Sequence, residues 1–308
     1  MTLGDRMAWG DVVLPFQLDG CDVRGRVARL DAVLEAVLRR HAYPAVVEAL
    51  VVEMVLLTAL IGQAVKLRWK LSLQVQSKGA VRMIATDYYA PDASGQPARL
   101  RACARFDAAR LDAEAPPFAQ LGEGYFAVLM DAGKGAPGYR GLTPLEGATL
   151  AACAESYFAH SEQLPTRVVL AHDGARAEGG VLRWRAGGVM LQQMPAAQPG
   201  GDAAETWQCA AGWLGALRDG ELLGPDPTLP DLLLRRFPQD APRVFPAQRL
   251  RFGCPCSEAR VRQSLSIYAP REIARMTTEE GRITADCQFC GAHYNLDPKT
   301  VGQGAQNP

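Results

Sequence analysis

Four of the eight cysteines in this sequence have a spacing that can do chemistry. Cys254 and Cys256 form a C-x-C pair, and Cys287 and Cys290 form a C-x-x-C pair further along the chain. Tetrahedral zinc, with Zn–S distances near 2.3 Å, needs four sulfur atoms about 3.8 Å apart, and two close cysteine pairs on turns meet that need. The spacing predicts one Zn²⁺ bound by these four thiolates. An iron–sulfur cluster, which uses the same ligands, is the alternative.

The same cysteines can respond to oxidants. A C-x-x-C pair closes a disulfide readily, whereas a C-x-C pair closes only a small, strained ring of the labile kind. Oxidation of either pair removes two metal ligands. A tail of about fifty residues has too little core to stay folded without its metal, which contributes on the order of 10–16 kcal/mol. A static zinc knuckle and an oxidation-driven switch therefore both fit these residues.

Two further functions use the same cysteines. A thiol–disulfide oxidoreductase would use Cys287 and Cys290 and needs a thioredoxin-like βαβ context with one low-pKa thiol. A zinc-ribbon protein that binds nucleic acid needs a basic face, but residues 254–308 carry six Lys and Arg against six Asp and Glu. Because Cys287 and Cys290 accompany a second cysteine pair and the tail has no basic face, the residues favour metal binding over both of these functions.

Composition excludes several classes of protein. The 308 residues include 33 Lys and Arg and 33 Asp and Glu, so no net field directs the chain to nucleic acid or to a membrane. Glycine-rich strings in residues 122–135 lack the context of nucleotide-binding loops, so no nucleotide is expected. The first twenty residues lack a basic start followed by an apolar run. We therefore expect no export signal and a cytoplasmic location.

Periodicity predicts an α+β domain with a mostly antiparallel sheet in the first two-thirds of the chain. Helical spacing begins at Val27 and continues to Leu38, and a buried helix is predicted from Pro44 to about Lys66. A capping box at Thr143–Glu146 predicts a helix from Pro144 to about His160. Strands are predicted at residues 66–76, 81–85, 99–106, 125–130, 166–171, 181–185 and 188–194.

Short amphipathic helices are predicted between residues 202 and 237, where Pro and Gly separate apolar stripes. Trp207, Leu214 and Leu217 share one stripe, and Leu232 to Leu234 belong to another. Helices this short are marginal alone and need a surface to lie on. Without that surface or the neighbouring module, their apolar faces become exposed patches.

Several short motifs match a known family. The matching residues are Val23-Arg24-Gly25, His41-Ala42-Tyr43-Pro44, Leu73-Gln74-Val75-Gln76, Tyr139-Arg140-Gly141, Leu145-Glu146-Gly147, Tyr157-Phe158, Ser161-Glu162-Gln163-Leu164-Pro165-Thr166 and the two cysteine pairs. With these motifs the chain resembles, over nearly its whole length, the heat shock protein 33 family of bacterial redox-regulated holdase chaperones.

The resemblance implies three parts: an N-terminal α+β core (residues 1–198), a metastable helical linker segment (199–252) and a C-terminal zinc domain (253–308). In the reduced protein the four thiolates would hold Zn²⁺ while the linker segment stays docked on the core. Oxidation would pair Cys254 with Cys256 and Cys287 with Cys290, release the metal and unfold the linker segment.

The resemblance also implies the partners. The exposed apolar surface would hold unfolding client proteins without ATP under oxidative stress, often as a homodimer. Periodicity indicates six apolar residues of the linker segment as candidates for contact with clients: Trp207, Trp213, Leu214, Leu232, Leu233 and Leu234.

Overall fold

A computed structural model of the chain describes residues 10–65, 69–91, 95–131, 138–176, 182–195, 203–238 and 241–303. The chain divides into two compact units, Met1–Phe252 and Gly253–Pro308. The first unit contains eleven of the strands and the longer helices, and the second contains all four clustered cysteines.

The first unit alternates strands with helices. Its described strands are β1 (Val12–Leu18), β2 (Val23–Leu30), β3 (Lys70–Ser77), β4 (Val81–Tyr89), β5 (Ala98–Phe106), β6 (Gly124–Asp131), β7 (Tyr139–Pro144), β8 (Thr166–Arg176), β9 (Leu182–Gln193), β10 (Arg243–Val244) and β11 (Gln248–Phe252). Its described helices are α1 (Ala32–Leu38), α2 (Ala45–Ala64), α3 (Leu150–Ser161), α4 (Ala203–Gly215), α5 (Asp219–Leu223) and α6 (Leu229–Arg236).

All eleven strands belong to one sheet, in the order β7-β6-β3-β4-β5-β11-β1-β2-β9-β8, with β10 also paired to β1. Strand β11 joins two antiparallel halves, because it pairs antiparallel with β1 and parallel with β5. The mostly antiparallel α+β fold predicted from periodicity is confirmed. The parallel pairing of β11 with β5 was not predicted, because these strands lie about 150 residues apart in the sequence.

Helix α2 lies at the centre of the first unit and packs against β2, β3, β4, β5, β8 and β9. It is apolar on nearly all sides, as a helix buried in a core must be. Its two carboxylates have partners on the sheet: Trp184 Nε1 donates to Glu48 (2.8 Å), and His172 Nε2 lies 3.0 Å from Glu53. Among the described residues only α2 has the length and hydropathy of a membrane span, and 78% of that window is buried inside the protein.

The opposite face of the β1–β2–β9–β8 half carries helices α4, α5 and α6. Alternation on β2 separates the two faces: Val23 and Val27 face these helices, whereas Arg26 donates to Gln63 of α2. The buried residues between sheet and helices form a second apolar cluster, termed here the linker cluster. It comprises Val12, Leu14, Phe16, Leu18, Cys21, Val23, Val27, Ala171, Val189, Leu191, Ala210, Leu214, Leu222, Leu229, Leu232, Leu233 and Phe237.

Four predicted elements, two helices and two strands, were wrong in their bounds. Val27 and Leu30 lie in β2, which pairs with β9 over its whole length, so helix α1 begins only at Ala32. Thr143 and Pro144 of the predicted capping box instead end strand β7, and Thr149 caps helix α3 by accepting from Ala152 N (3.1 Å). In both places pairing with a neighbouring strand overrides a local helical signal.

The strands predicted at residues 181–185 and 188–194 form one strand, β9 (Leu182–Gln193), and residue 181 lies outside the described residues. Two glycines interrupt its apolar pattern, and close packing explains both. A Cβ on Gly187 would lie 2.3 Å from the Leu222 carbonyl oxygen, and a Cβ on Gly188 would lie 2.9 Å from Leu170 Cδ2. The two glycines therefore allow α5 and β8 to pack closely against β9 and do not end the strand.

The second unit is small. It contains helices α7 (Glu258–Leu265) and α8 (Pro270–Met276) and a hairpin of β12 (Ile283–Asp286) and β13 (His293–Leu296). Its fully buried apolar residues in the described part are four: Ile273, Ile283, Leu296 and Val301. So small a core provides little stability by itself.

Candidate metal centre

Cys254 and Cys256 lie in the short loop between β11 and α7. Pro255 separates them, and Ser257 caps α7 by accepting a hydrogen bond from Arg260 N (3.3 Å). The cap fixes where the helix begins, so the loop in front of it is only a few residues long. Both thiols are half-buried in this loop.

Cys287 and Cys290 lie in the turn of the β12–β13 hairpin. The Cys287 carbonyl accepts from the N–H groups of Cys290 (3.3 Å) and Gly291 (2.8 Å), and Cys287 N donates to the Ala292 carbonyl (2.9 Å). Gly291 has a φ of +72°, a conformation that glycine adopts without strain. This tight turn places both thiols on the same side of the hairpin end, facing the first pair.

The structure brings the four sulfur atoms together, all within 4.8 Å of one another. Cys254 Sγ lies 3.7 Å from Cys287 Sγ, and Cys256 Sγ lies 3.3 Å from Cys290 Sγ. These distances match the separation of about 3.8 Å expected between sulfur ligands of a tetrahedral ion. The cluster can therefore hold a metal ion with four thiolates. Among the described residues it is the only cluster of His, Cys, Asp or Glu side chains close enough together to do so.

Crowding shifts the ionisation of the thiols in opposite directions. Burial acts to raise the pKa of Cys256, but hydrogen bonds from Tyr294 and the other thiols outweigh it and lower this pKa to about 7. Burial and hydrogen bonds with the other three thiols raise the pKa of Cys290 to about 12. The first negative charge thus opposes the loss of further protons, as in any cluster of like groups. A bound cation removes that opposition.

Tyr294 is a site residue that the sequence reasoning missed. It lies on β13, and its hydroxyl hydrogen-bonds Cys256, a contact that raises the pKa of Tyr294 to about 12. The neighbouring His293 instead pairs with Asp286, with Nδ1 2.7 Å from Oδ1. Strand alternation could not have found Tyr294, because Cys290 lies in the turn, Gly291 has a φ of +72° and the strand begins only at His293.

The surroundings of Cys287 and Cys290 do not fit a thioredoxin-like redox pair. In that context the first cysteine begins a helix that follows a β-strand. Here both cysteines lie in an antiparallel hairpin, and their pair faces a second pair of thiols. The geometry therefore favours metal binding over disulfide exchange with a substrate.

The six apolar candidates of the linker segment lie on α4 and α6. Leu214, Leu232 and Leu233 are buried in the linker cluster, and Trp207 and Trp213 pack against it. Leu234 is 56% exposed and points away. Phe237, which was not among the candidates, is also buried in this cluster.

The fold and the site together define a class: an α+β protein whose sheet domain is followed by a small module with four metal-binding thiols. Comparison with known proteins identifies the class. The family model described as Hsp33 protein matches residues 11–297. The chain is 38% identical to the 33 kDa chaperonin of Caulobacter vibrioides over 294 residues, covering 94% of this chain and 95% of that protein.

Two further relatives belong to the same family. The 33 kDa chaperonin of Pseudomonas paraeruginosa is 34% identical over 310 residues, covering 98% of each chain. The crystal structure of the 33 kDa chaperonin (heat shock protein 33 homologue) of Thermotoga maritima has a similar fold, with a TM-score of 0.76 and 19% identity over 94% of this chain and 96% of that one. The chain belongs to the heat shock protein 33 family. Proteins of this family are chaperones, which bind unfolded proteins, and are not enzymes.

Proposed function

We propose that this protein is a redox-regulated, ATP-independent holdase that protects unfolding proteins from aggregation during oxidative stress. The observation that carries the proposal is the cluster of four thiols in a chain of this chaperone family. Four half-buried cysteines within reach of one ion provide both a metal site and a target for oxidants.

The metal of the proposal is Zn²⁺, bound by Cys254, Cys256, Cys287 and Cys290. Four soft thiolates in a tetrahedral arrangement are the ligand set of structural zinc. When bound, the ion supplies the cross-link between the two cysteine loops. With few buried apolar residues, the second unit depends on that cross-link for its folding.

Oxidation removes the ligands. Two thiolates of a pair give up two electrons to form one S–S bond, and hydrogen peroxide takes up those electrons and two protons to become two water molecules. We propose the pairs Cys254–Cys256 and Cys287–Cys290. Each pair stays close when the module loosens, because only one or two residues separate its members. The cross-pairs Cys254–Cys287 and Cys256–Cys290 must close loops of more than thirty residues.

In this proposal the chain works as three parts: a core of residues 1–198, the linker segment and a zinc domain of residues 253–308. The linker segment holds the apolar faces of α4 and α6 against the sheet. Its detachment exposes both sides of the linker cluster, including Trp207, Trp213, Leu214, Leu232 and Leu233, with Leu234 already at the surface. Exposed apolar area of this size binds other apolar surfaces.

Client binding by apolar burial is non-directional, so we propose a broad range of unfolded clients and no requirement for a nucleotide. The active form is proposed to be a homodimer, and the protein is proposed to act in the bacterial cytoplasm without binding nucleic acid or membrane. These features follow from the family resemblance together with the balanced charge of the chain.

The test compares aggregation of a chemically unfolded client, without nucleotide, in the presence of reduced zinc-loaded protein and of peroxide-oxidised protein. We expect about one zinc per chain and little protection in the reduced state, and zinc release with strong protection after oxidation. Cys209→Ser, which changes an exposed cysteine outside the cluster, is the control and keeps this response. Equal protection in both states, or reduced protein without zinc, contradicts the proposal.

A further inference from the structure

Arg29 links the sheet directly to the linker segment. It lies on β2, on the face covered by α4–α6, and it is only 6% exposed. Its Nε donates to the Leu222 carbonyl (2.8 Å), and its Nη2 donates to the carbonyls of Glu221 and Pro227 (both 2.7 Å). One buried guanidinium of the core therefore binds three main-chain oxygens of the linker segment.

Gly187 forms the other half of this contact. It pairs with Arg29 in the β2–β9 register, so the two residues lie side by side on the same face. A Cβ on Gly187 would lie 2.3 Å from the Leu222 carbonyl oxygen and 2.7 Å from its carbonyl carbon. Only a glycine leaves room for the end of α5 to rest on the sheet where Arg29 can reach it.

The carbonyls that Arg29 binds lie where a short helix needs stabilisation. Glu221 and Leu222 belong to the last turn of α5, a five-residue helix, where helix carbonyls lack partners of their own. A positive group at a helix C-terminus also interacts favourably with the helix dipole. So short a helix is not stable by itself. The Glu221 carboxylate in turn pairs with Arg236 of α6, so the contact extends to the next helix.

We propose that Arg29 and Gly187 form a clasp that holds the linker segment on the core and determines how readily it detaches, separately from the metal centre. The clasp binds main-chain atoms, so it depends on the backbone path of residues 221–227 and not on their side chains. When the segment detaches, water can solvate the guanidinium, and the contact is reversible. The inference rests on the proposed role of linker detachment in activation.

The test measures cleavage of residues 219–238 by limited proteolysis in full-length, reduced, zinc-loaded protein. In Arg29→Met the cleavage rate is expected to rise about tenfold or more, since each buried hydrogen bond to a charged group is worth at least about that factor. Zinc content stays as in the wild type. Arg26→Met is the matched control, because Arg26 lies on the same strand but donates to Gln63 on the opposite face (2.9 Å).

Gly187→Ala is the second variant. It keeps the guanidinium but fills the space of the Leu222 carbonyl, so it is expected to increase cleavage in the same segment. If Arg29→Met does not fold, this variant alone tests the clasp. Wild-type protection of residues 219–238 in both variants overturns the clasp, as does an equal increase in Arg26→Met. The proposed function is tested separately by the client-aggregation assay. It fails if oxidised wild-type protein does not protect a client, whatever the result of proteolysis.

Discussion

Trp213 and Phe237 pack edge to face, with ring centroids 4.8 Å apart. Trp213 lies on α4 and Phe237 directly follows α6, so the pair joins two helices of the linker segment. The Phe237 ring also lies 6.0 Å from the ring of Phe16 on β1. The three rings therefore connect the linker segment to the sheet through apolar contact. This contact uses other residues than the Arg29 hydrogen bonds.

The Phe237→Ala variant is expected to weaken the docking of α4 and α6, because removal of a buried phenylalanine ring costs about 3–5 kcal/mol. Tryptophan emission in the reduced protein should shift to longer wavelength, as Trp213 becomes more exposed. Phe245→Ala is the control, since Phe245 follows β10 and is already 40% exposed. Equal spectra for Phe237→Ala and the wild type would mean that this ring does not hold the helices.

The Tyr294→Phe variant is expected to weaken metal binding about 10–100-fold, the usual effect of losing a hydrogen bond to a metal ligand. The lost bond is the one between the Tyr294 hydroxyl and Cys256. Competition with a chromogenic chelator measures the affinity in reduced protein. Tyr268→Phe, on the small apolar core of the second unit, should leave the affinity unchanged. An unchanged affinity in Tyr294→Phe contradicts a role for this hydroxyl.

Removal of the metal by a strong chelator under reducing conditions is expected to unfold the second unit and leave the sheet of the first unit folded. The zinc-thiolate cross-link contributes on the order of 10–16 kcal/mol in modules of this kind, whereas the apolar core here consists of four buried side chains. Hydrogen exchange should rise throughout residues 258–301 and recover when zinc is added back. Protection that survives the chelator would show that the module folds by itself.

The Asp11→Asn variant tests a pH dependence in the first unit. Burial raises the pKa of Asp11 to about 6, backbone hydrogen bonds lower it, and the Asp31 carboxylate raises it further. Because this pKa is raised on folding, the charged carboxylate opposes the fold above about pH 6, and the opposition disappears as the pH falls to about 4. An amide oxygen can still accept from the N–H groups of Asp31 (3.1 Å) and Val33 (3.0 Å).

We therefore expect Asp11→Asn to melt about 2–4 °C above the wild type at pH 7.5, the effect of about 1 kcal/mol in a domain of this size. The difference should shrink below pH 5. Asp173→Asn, an exposed carboxylate on β8, is the control for loss of charge alone. A difference that is constant with pH would contradict the assignment.

How much the sequence predicts depends on the distance between interacting residues. The cysteine pairs and the alternating strands β3 to β6 could be predicted, because spacing and local alternation define them. Strand β11 could not, because its pairing with β5 and β1 comes from residues far away in the sequence. The same holds for Arg29, whose carbonyl partners lie more than 190 residues further along the chain. Alternation puts Arg29 on the face of Val23 and Val27, opposite Arg24 and Arg26, but it does not identify the carbonyls that Arg29 binds.

Helices α4 to α6 lie in the chain between strands of one sheet. Strand β9 ends at Gln193, and β10 and β11 return to pair with β1 and β5. Helices α4 to α6 are thus a loop fixed at both sides, and once lifted they remain at a high local concentration near their own binding surface. In the proposed function, re-docking is therefore unimolecular, with a rate independent of protein concentration, and a client bound on that surface competes continuously with the returning loop.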